Sequence, residues 1–196
     1  PKEGLAPKAM LLKAYATARL SDEKYLKREL DILVKTWPGT PESKKAEELI
    51  SHLNQELPEL KIEEDTEIAR ELYVLDTIPV HTFVLVVSDP AFNLNQATFD
   101  VISHNIDNFT NENYRTEGSL VGNTYLMITV SGFRNNNEAW KYFNSFDAEA
   151  IIRNITSVRY LTFLINNNNL KVLGEDKNPD RYYIFFRDKY SGGRAP

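Results

Sequence analysis

The sequence predicts an α+β chain, a helical front part followed by a mixed domain of strands and helices. Three observations predict it. Apolar residues over the first 56 positions recur at helical spacing. From residue 80 onward, runs rich in Val, Ile, Thr and aromatics alternate with helix-period stretches in the order β-α-β-β-α-β. Between the two patterns lies an acidic stretch that contains a proline. The expected division is a helical repeat unit over 1–56, an acidic connector over 57–79, an α+β domain over 80–190 and a flexible tail over 191–196.

The first helix is expected over 7–19, with Pro7 at its tolerated early position and Met10, Leu11, Ala14, Tyr15 and Ala18 at helical spacing. Ser21 or Asp22 can cap a second helix to about Thr36, with Leu26, Leu30, Leu33 and Val34 inward. Trp37-Pro38-Gly39-Thr40-Pro41 stops it and starts a third through Ala46, Leu49, Ile50 and Leu53. Pro7 and Pro41 head successive helices 34 residues apart, the period of a tetratricopeptide repeat. In that register Ala14 falls where two helices cross closely and Pro38 ends the second helix, while Lys13 and Thr17 replace the usual Leu and aromatic. Such a helix pair cannot bury its apolar stripe alone and stacks on neighbours, so about one and a half units imply the end of a longer array.

Pro58 and the acids of 56–71 read as a connector, with a short helix or extended arm over 68–75. His81-Thr82-Phe83-Val84-Leu85-Val86-Val87 is a strand by β-branched and aromatic content. Asn93 or Asn95 can cap a helix containing Ala97, Phe99, Val101 and Ile102. A weaker strand over 115–121, the Gly122-Asn123 turn and a strand over 125–130 follow. Asn135 to Asn137 offer caps for a helix with Ala139, Trp140 and Phe143 inward, and 158–165 is the last strand. This order is the split-βαβ, ferredoxin-like sandwich. Residues 166–173 and 179–190 are expected as a C-terminal helical appendage.

The chain has 196 residues, a formal charge of −5 and a pI near 5.3, and its Lys and Arg are interspersed with acids. That balance argues against a nucleic-acid partner. The absence of cysteine removes disulfides, thiolate catalysis and Cys-ligated zinc. No apolar run approaches the ~20 residues needed to span a bilayer. His52, His81 and His104 fall on three different elements and mark no shared metal site. Adjacent acids such as Glu47-Glu48 diverge rather than converge, and Gly118, Gly122 and Gly132 lack phosphate-loop spacing. No enzyme, cofactor or metal is expected.

A helical-repeat end, then the strand 81–87, Val130-Ser131-Gly132-Phe133 with Asn137-Glu138-Ala139 behind it, and a close in Asp176-Lys177-Asn178-Pro179-Asp180-Arg181-Tyr182 together resemble the C-terminal part of the SprE/PorW family. Those are repeat-containing lipoproteins of the Bacteroidetes gliding-motility and type IX secretion machinery. The resemblance implies a non-enzymatic scaffold at the periplasmic face of the outer membrane, whose partners are other components of that machinery. It places membrane contact only in a lipid anchor outside this segment. Within it, the strand ending Val130-Ser131-Gly132-Phe133 before a helix opening Asn137-Glu138-Ala139 is similar to the second half of SPOR domains. That similarity implies an alternative function, binding peptidoglycan glycan strands.

Alternation places Phe83, Leu85, Val87, Leu126, Ile128, Val130, Leu161, Phe163 and Ile165 on one sheet face, beneath the helices. The other face is then expected to carry Thr82, Val84, Val86, Tyr125, Met127, Thr129, Tyr160 and Thr162 as a polar-aromatic surface for a glycan or a partner, unless the C-terminal aromatics Tyr182, Tyr183, Phe185 and Phe186 cover it. On the helical unit, Met10, Lys13 and Tyr15 are the expected partner-binding residues. The Asn runs at 135–137 and 166–169 read as caps and turns. Asn108-Phe109-Thr110 and Asn154-Ile155-Thr156 match the N-glycosylation acceptor pattern, and Asp76-Thr77-Ile78 looks like a short O-glycosylation motif of exported Bacteroidetes proteins.

Overall fold

The computed structural model describes residues 4–18, 22–110 and 112–190, with Thr17 as backbone only. They fall into two compact units, Pro1–Glu64 and Asp65–Pro196. The alternative cap Ser21, the helix end at Arg19 and the tail 191–196 lie outside the described residues. Among those described, no helix is long and apolar enough to cross a membrane.

The first unit holds α1 (Ala6–Ala18), α2 (Glu23–Thr36), α3 (Pro41–Glu56) and the opening turns of α4 (Pro58–Leu72). Asp22 caps α2 by accepting from Tyr25 N at 2.9 Å, and Thr40 caps α3 by accepting from Ser43 N at 3.1 Å, each worth about 1 kcal/mol. Leu11, Ala14, Leu30, Leu33 and Ala46 form the core, and the two alanines allow the helices to approach closely. Lys27, itself buried, pairs with Glu64, and Lys24 with Glu63. The expected connector is therefore helical through Leu72. Pro58 opens this helix at a position that needs no N–H donor, and Glu59 suits its positive end.

In the second unit the elements run β1 (Thr82–Val87), α5 (Leu94–Asn108), β2 (Arg115–Val121), β3 (Tyr125–Ser131), α6 (Asn136–Ser145), α7 (Ala148–Ile151), β4 (Tyr160–Ile165), α8 (Asn167–Asp176) and α9 (Pro179–Tyr190). The four strands form one antiparallel sheet in the order β2-β3-β1-β4. Asn93 and Asn135 cap α5 and α6, each accepting from a backbone N–H at 3.0 Å. All six β1 residues are buried, so both sheet faces are covered there.

The register corrects the expected face of β4. Phe83 stands opposite Leu164, Leu85 opposite Thr162 and Val87 opposite Tyr160. Residues directly opposite share a face. Leu164, Thr162 and Tyr160 therefore join Phe83, Leu85, Ile128 and Val130, while Leu161, Phe163 and Ile165 join Val84 and Val86 on the other side. The C-terminal helices are also no appendage. Leu173, Tyr182, Phe185, Phe186 and Tyr190 belong to the same core as the sheet, with Ala69 and Tyr73. Tyr182 packs 4.9 Å from Phe163 and 4.9 Å from Tyr73, and its hydroxyl donates to the Leu164 carbonyl at 2.9 Å. A buried ion network holds the last turns of α4: Arg181 donates to Asp65 at 2.8 Å and to Asp176 at 2.6 Å, while Tyr73 donates to Asp176 at 3.0 Å.

Two expectations follow. Gly132 has φ +96°, and a Cβ on it would lie 2.8 Å from the Asn113 carbonyl oxygen. Gly132→Ala should cost roughly 1–3 kcal/mol, read as a lowered urea midpoint at unchanged slope. Burial, assisted by the charge of Asp76, pushes the Tyr190 hydroxyl up to about 12, and burial raises Tyr73, Tyr142 and Tyr182 as well. The unfolded chain ionises its tyrosines near pH 10. Their contribution is thus full below about pH 10 and is lost as pH rises through the folded values. Unfolding free energy should fall from pH 10 to 12, and a flat profile over that window would contradict the assignment.

Candidate functional site

On the helical unit, α1 and α3 enclose a groove of about 300 Å³ lined by Lys8, Leu12 and Tyr15 from one helix and Pro41, Glu42 and Lys45 from the other. Leu12 is 68% exposed and Tyr15 43%, so the walls present apolar surface to solvent. Thr40 and Pro41 fix the lip by starting α3 at a defined point. Of the three residues expected here, Tyr15 lines the groove. Met10 instead packs against the helical core, and Lys13 donates to Glu29 of α2 at 2.9 Å. That bond raises the Lys13 ammonium and lowers the Glu29 carboxyl relative to their ordinary values. Leu12 escaped the sequence reading because the apolar positions around it all satisfied one inward stripe. Leu5, Leu12 and Tyr15, at i, i+7 and i+10, were the available signal of a second stripe.

The expected sheet residues do not form one surface. Tyr125, Met127 and Thr129 share the face of Val84 and Val86, whereas Tyr160 and Thr162 lie on the opposite one. Tyr125 is half-buried and donates to Asp180 of α9 at 3.0 Å, and Arg159 pairs with the same carboxylate. Burial, then the Asp180 charge, raises the Tyr125 hydroxyl. Tyr160 lies 3.5 Å from Glu149, and burial followed by that carboxylate raises it too. Of the C-terminal aromatics, Tyr182, Phe185 and Phe186 are buried and Tyr183 is half-buried against the core.

A larger cavity, about 610 Å³, opens at the start of α6 between Tyr114, Arg134, Asn137, Glu138 and Lys141. Glu138 is its hub. It accepts from the Tyr114 hydroxyl at 2.9 Å and from Arg134 N at 2.7 Å, and the Arg134 guanidinium pairs with both Glu138 and Glu112. Burial works to raise the Glu138 carboxyl, but these donors and the Arg134 charge outweigh it and hold it low. Burial, then the bond to Glu138, pushes the Tyr114 hydroxyl up. At neutral pH the carboxylate stays ionised and the phenol protonated.

The Asn runs cap helices as expected and also fasten the segment leading into β1. Asn169 accepts from Val74 N at 3.2 Å and donates to Val74 O at 2.8 Å, and Asn166 donates to Asp76 O at 3.4 Å. Asn136 donates to the carbonyls of Thr77 and Pro79 at 2.7 and 3.1 Å. Its oxygen receives both His81 N and His81 Nδ1 at 2.9 Å, so Nδ1 carries a proton, and Nε2 shares a hydrogen bond with the Tyr190 hydroxyl at 3.0 Å. His81 is thus a satisfied structural histidine. His52 is exposed on α3, and His104 packs beside Phe109 and Phe146, with burial lowering its pKa. Among the described residues no group of three or more His, Asp or Glu side chains is gathered as metal ligands.

Compared with known protein families, with curated proteins and with solved structures, the chain matches none.

Asn136→Ala removes one oxygen and one amide that serve four backbone or ring groups. It should cost roughly 2–4 kcal/mol, and the amide of His81 should lose hydrogen-exchange protection before those of the central strand. Uniform protection loss across β1 would assign Asn136 no local role.

Proposed function

We propose that the chain is a non-enzymatic protein-binding scaffold whose helical unit receives a partner segment in the groove between α1 and α3. The observation that carries this reading is the exposed Leu12 and Tyr15 in a preformed groove, a large apolar side chain and an amphipathic aromatic of the kind that anchor interfaces. Lys8 and Lys45 against the single Glu42 favour a partner segment that carries acids beside its apolar anchors.

Finer architecture is part of the proposal. The 34-residue offset of Pro7 and Pro41 and the fully buried Ala14 support a tetratricopeptide-like unit. The order β2-β3-β1-β4 with helices after β1 and β3 supports a ferredoxin-like sandwich. Resemblance to the SprE/PorW family supplies the choice of partners, other components of the type IX secretion machinery at the periplasmic face of the outer membrane. In the alternative, SPOR-like reading, a peptidoglycan glycan would use the cavity of Tyr114, Asn137 and Lys141, because Tyr125 and Tyr160 lie on opposite faces of the sheet.

The test is capture from solubilised envelope of a Bacteroidetes host, with the wild-type chain and Leu12→Glu/Tyr15→Ala as baits. Leu12 is exposed enough that the pair should leave the fold intact, and partner recovery should drop at least ten-fold, the effect of losing a hot spot. Equal recovery by both baits would remove the groove from the function. Sedimentation with purified peptidoglycan, abolished by Tyr114→Ala/Lys141→Ala, would select the glycan reading instead.

A further inference from the structure

β2 is an edge strand that pairs with β3 on one side and, among the described residues, with no strand on the other. A seven-residue edge presents a row of main-chain donors and acceptors. Natural edges of that kind are usually guarded by charged side chains, Pro or a bulge. β2 has no Pro, its register with β3 is unbroken from Arg115 to Val121, and its charges are one of each sign, a pair that a matching edge can neutralise. α5 packs over the face that carries Thr116 and Gly118, so closely that a Cβ on Gly118 would meet Thr98 Oγ1 at 2.6 Å. Along its outer side α5 leaves Phe99, Ile102 and Ile106 in solvent at i, i+3 and i+7, with Ile106 63% exposed. Ile102, Ile106 and Thr116 line one groove of about 190 Å³. On the opposite face of β2 stand its only two charges, Arg115 and Glu117, both well exposed and 4.0 Å apart.

The occupant these features call for is a strand with apolar surface on one face and an opposite-ordered pair of charges on the other. β2 meets that description itself. We propose that a second copy of this chain docks here, β2 against β2 in antiparallel register about a two-fold axis through Thr116, giving one continuous eight-stranded sheet. In this register Thr116 faces its own twin and Arg115 of each copy faces Glu117 of the other, so three residues of each β2 pair strand to strand, while Gly118 and Ser119 lie opposite Tyr114 and Asn113 of the segment leading into β2. All four charges lie on the same sheet face and alternate in sign. On the other face the two Ile102/Ile106 grooves meet across the axis, as a self-complementary interface requires. Placing Gly118 on the axis instead sets Glu117 against Ser119 and Arg115 against Val121, and the charge match is lost. The proposal concerns a surface separate from the groove on the helical unit and does not rest on the reading of that groove.

Sedimentation equilibrium of the full chain across a concentration series tests it, with circular dichroism confirming that each variant is folded. The wild type should show a monomer–dimer equilibrium. Arg115→Glu places like charges opposite each other twice and should weaken the dimer roughly ten-fold. Arg115→Glu/Glu117→Arg reverses both partners and should restore it to within about three-fold of the wild type. Restoration by the swap is specific to pairing with a second copy in this register, because a foreign segment would not carry the compensating change. A wild type that stays monomeric at every concentration, an Arg115→Glu variant that associates as the wild type does, or a swap that fails to restore would each overturn the proposal.

Discussion

Everything in the second unit follows from a central strand that has no solvent side. Phe83, Val84, Leu85 and Val86 are completely buried, each contributing about 1.5–3 kcal/mol relative to exposure. A strand of that kind must be flanked by strands on both edges and covered on both faces. β3 and β4 supply the edges. Tyr142 and Phe143 of α6 and Phe146 just after it cover Phe83 on one face, and Phe163 on the other meets Tyr182 of α9. The C-terminal helices are therefore a structural necessity. Without them, Val84, Val86 and Phe163 would face water.

The same demand decides which surfaces remain for partners. Covering β1 and β4 on both sides consumes Tyr182, Phe185, Phe186 and Trp140 in packing, and ties Tyr125 to Asp180. Coverage thins toward the far edge, where Arg115, Glu117, Ser119 and Leu120 of β2 are exposed. In the helical unit the small residues Ala14 and Ala46 let the helices close on one another, which leaves the larger Leu12 and Tyr15 on the outside. In both units the exposed apolar surface lies where the core is already complete, so it is free to serve association rather than folding.

Much of this was legible in the sequence for local reasons. Asp22, Asn93 and Asn135 cap helices because a short side-chain acceptor before an apolar period has few other uses. The limits of β2 and the Gly122 turn followed from alternation and turn chemistry. The side assignment of β4 failed because Phe163, Leu164 and Ile165 are all buried; a strand covered on both faces carries no alternation to read, and one residue of slip exchanges the faces. α4 was misread because a proline can end one helix or begin the next, and Leu57 closes α3 immediately before Pro58 opens α4. Of the site, Tyr15 was legible, whereas the groove around it depends on how α1 meets α3, which no single segment encodes. The second role of Asn136, Asn166 and Asn169 depends on contacts up to 95 residues away in sequence.

That second role hangs one segment on a single kind of chemical group. The eight residues from Val74 to His81 are held to the domain by primary amides rather than by a strand ladder. Asparagine is one of the thermolabile side chains, and its hydrolysis yields a carboxylate. Each such event would replace an NH₂ that donates to a backbone carbonyl with an oxygen that repels it. Such a change would act on this segment by sign reversal, one fastening at a time, without altering any apolar side chain.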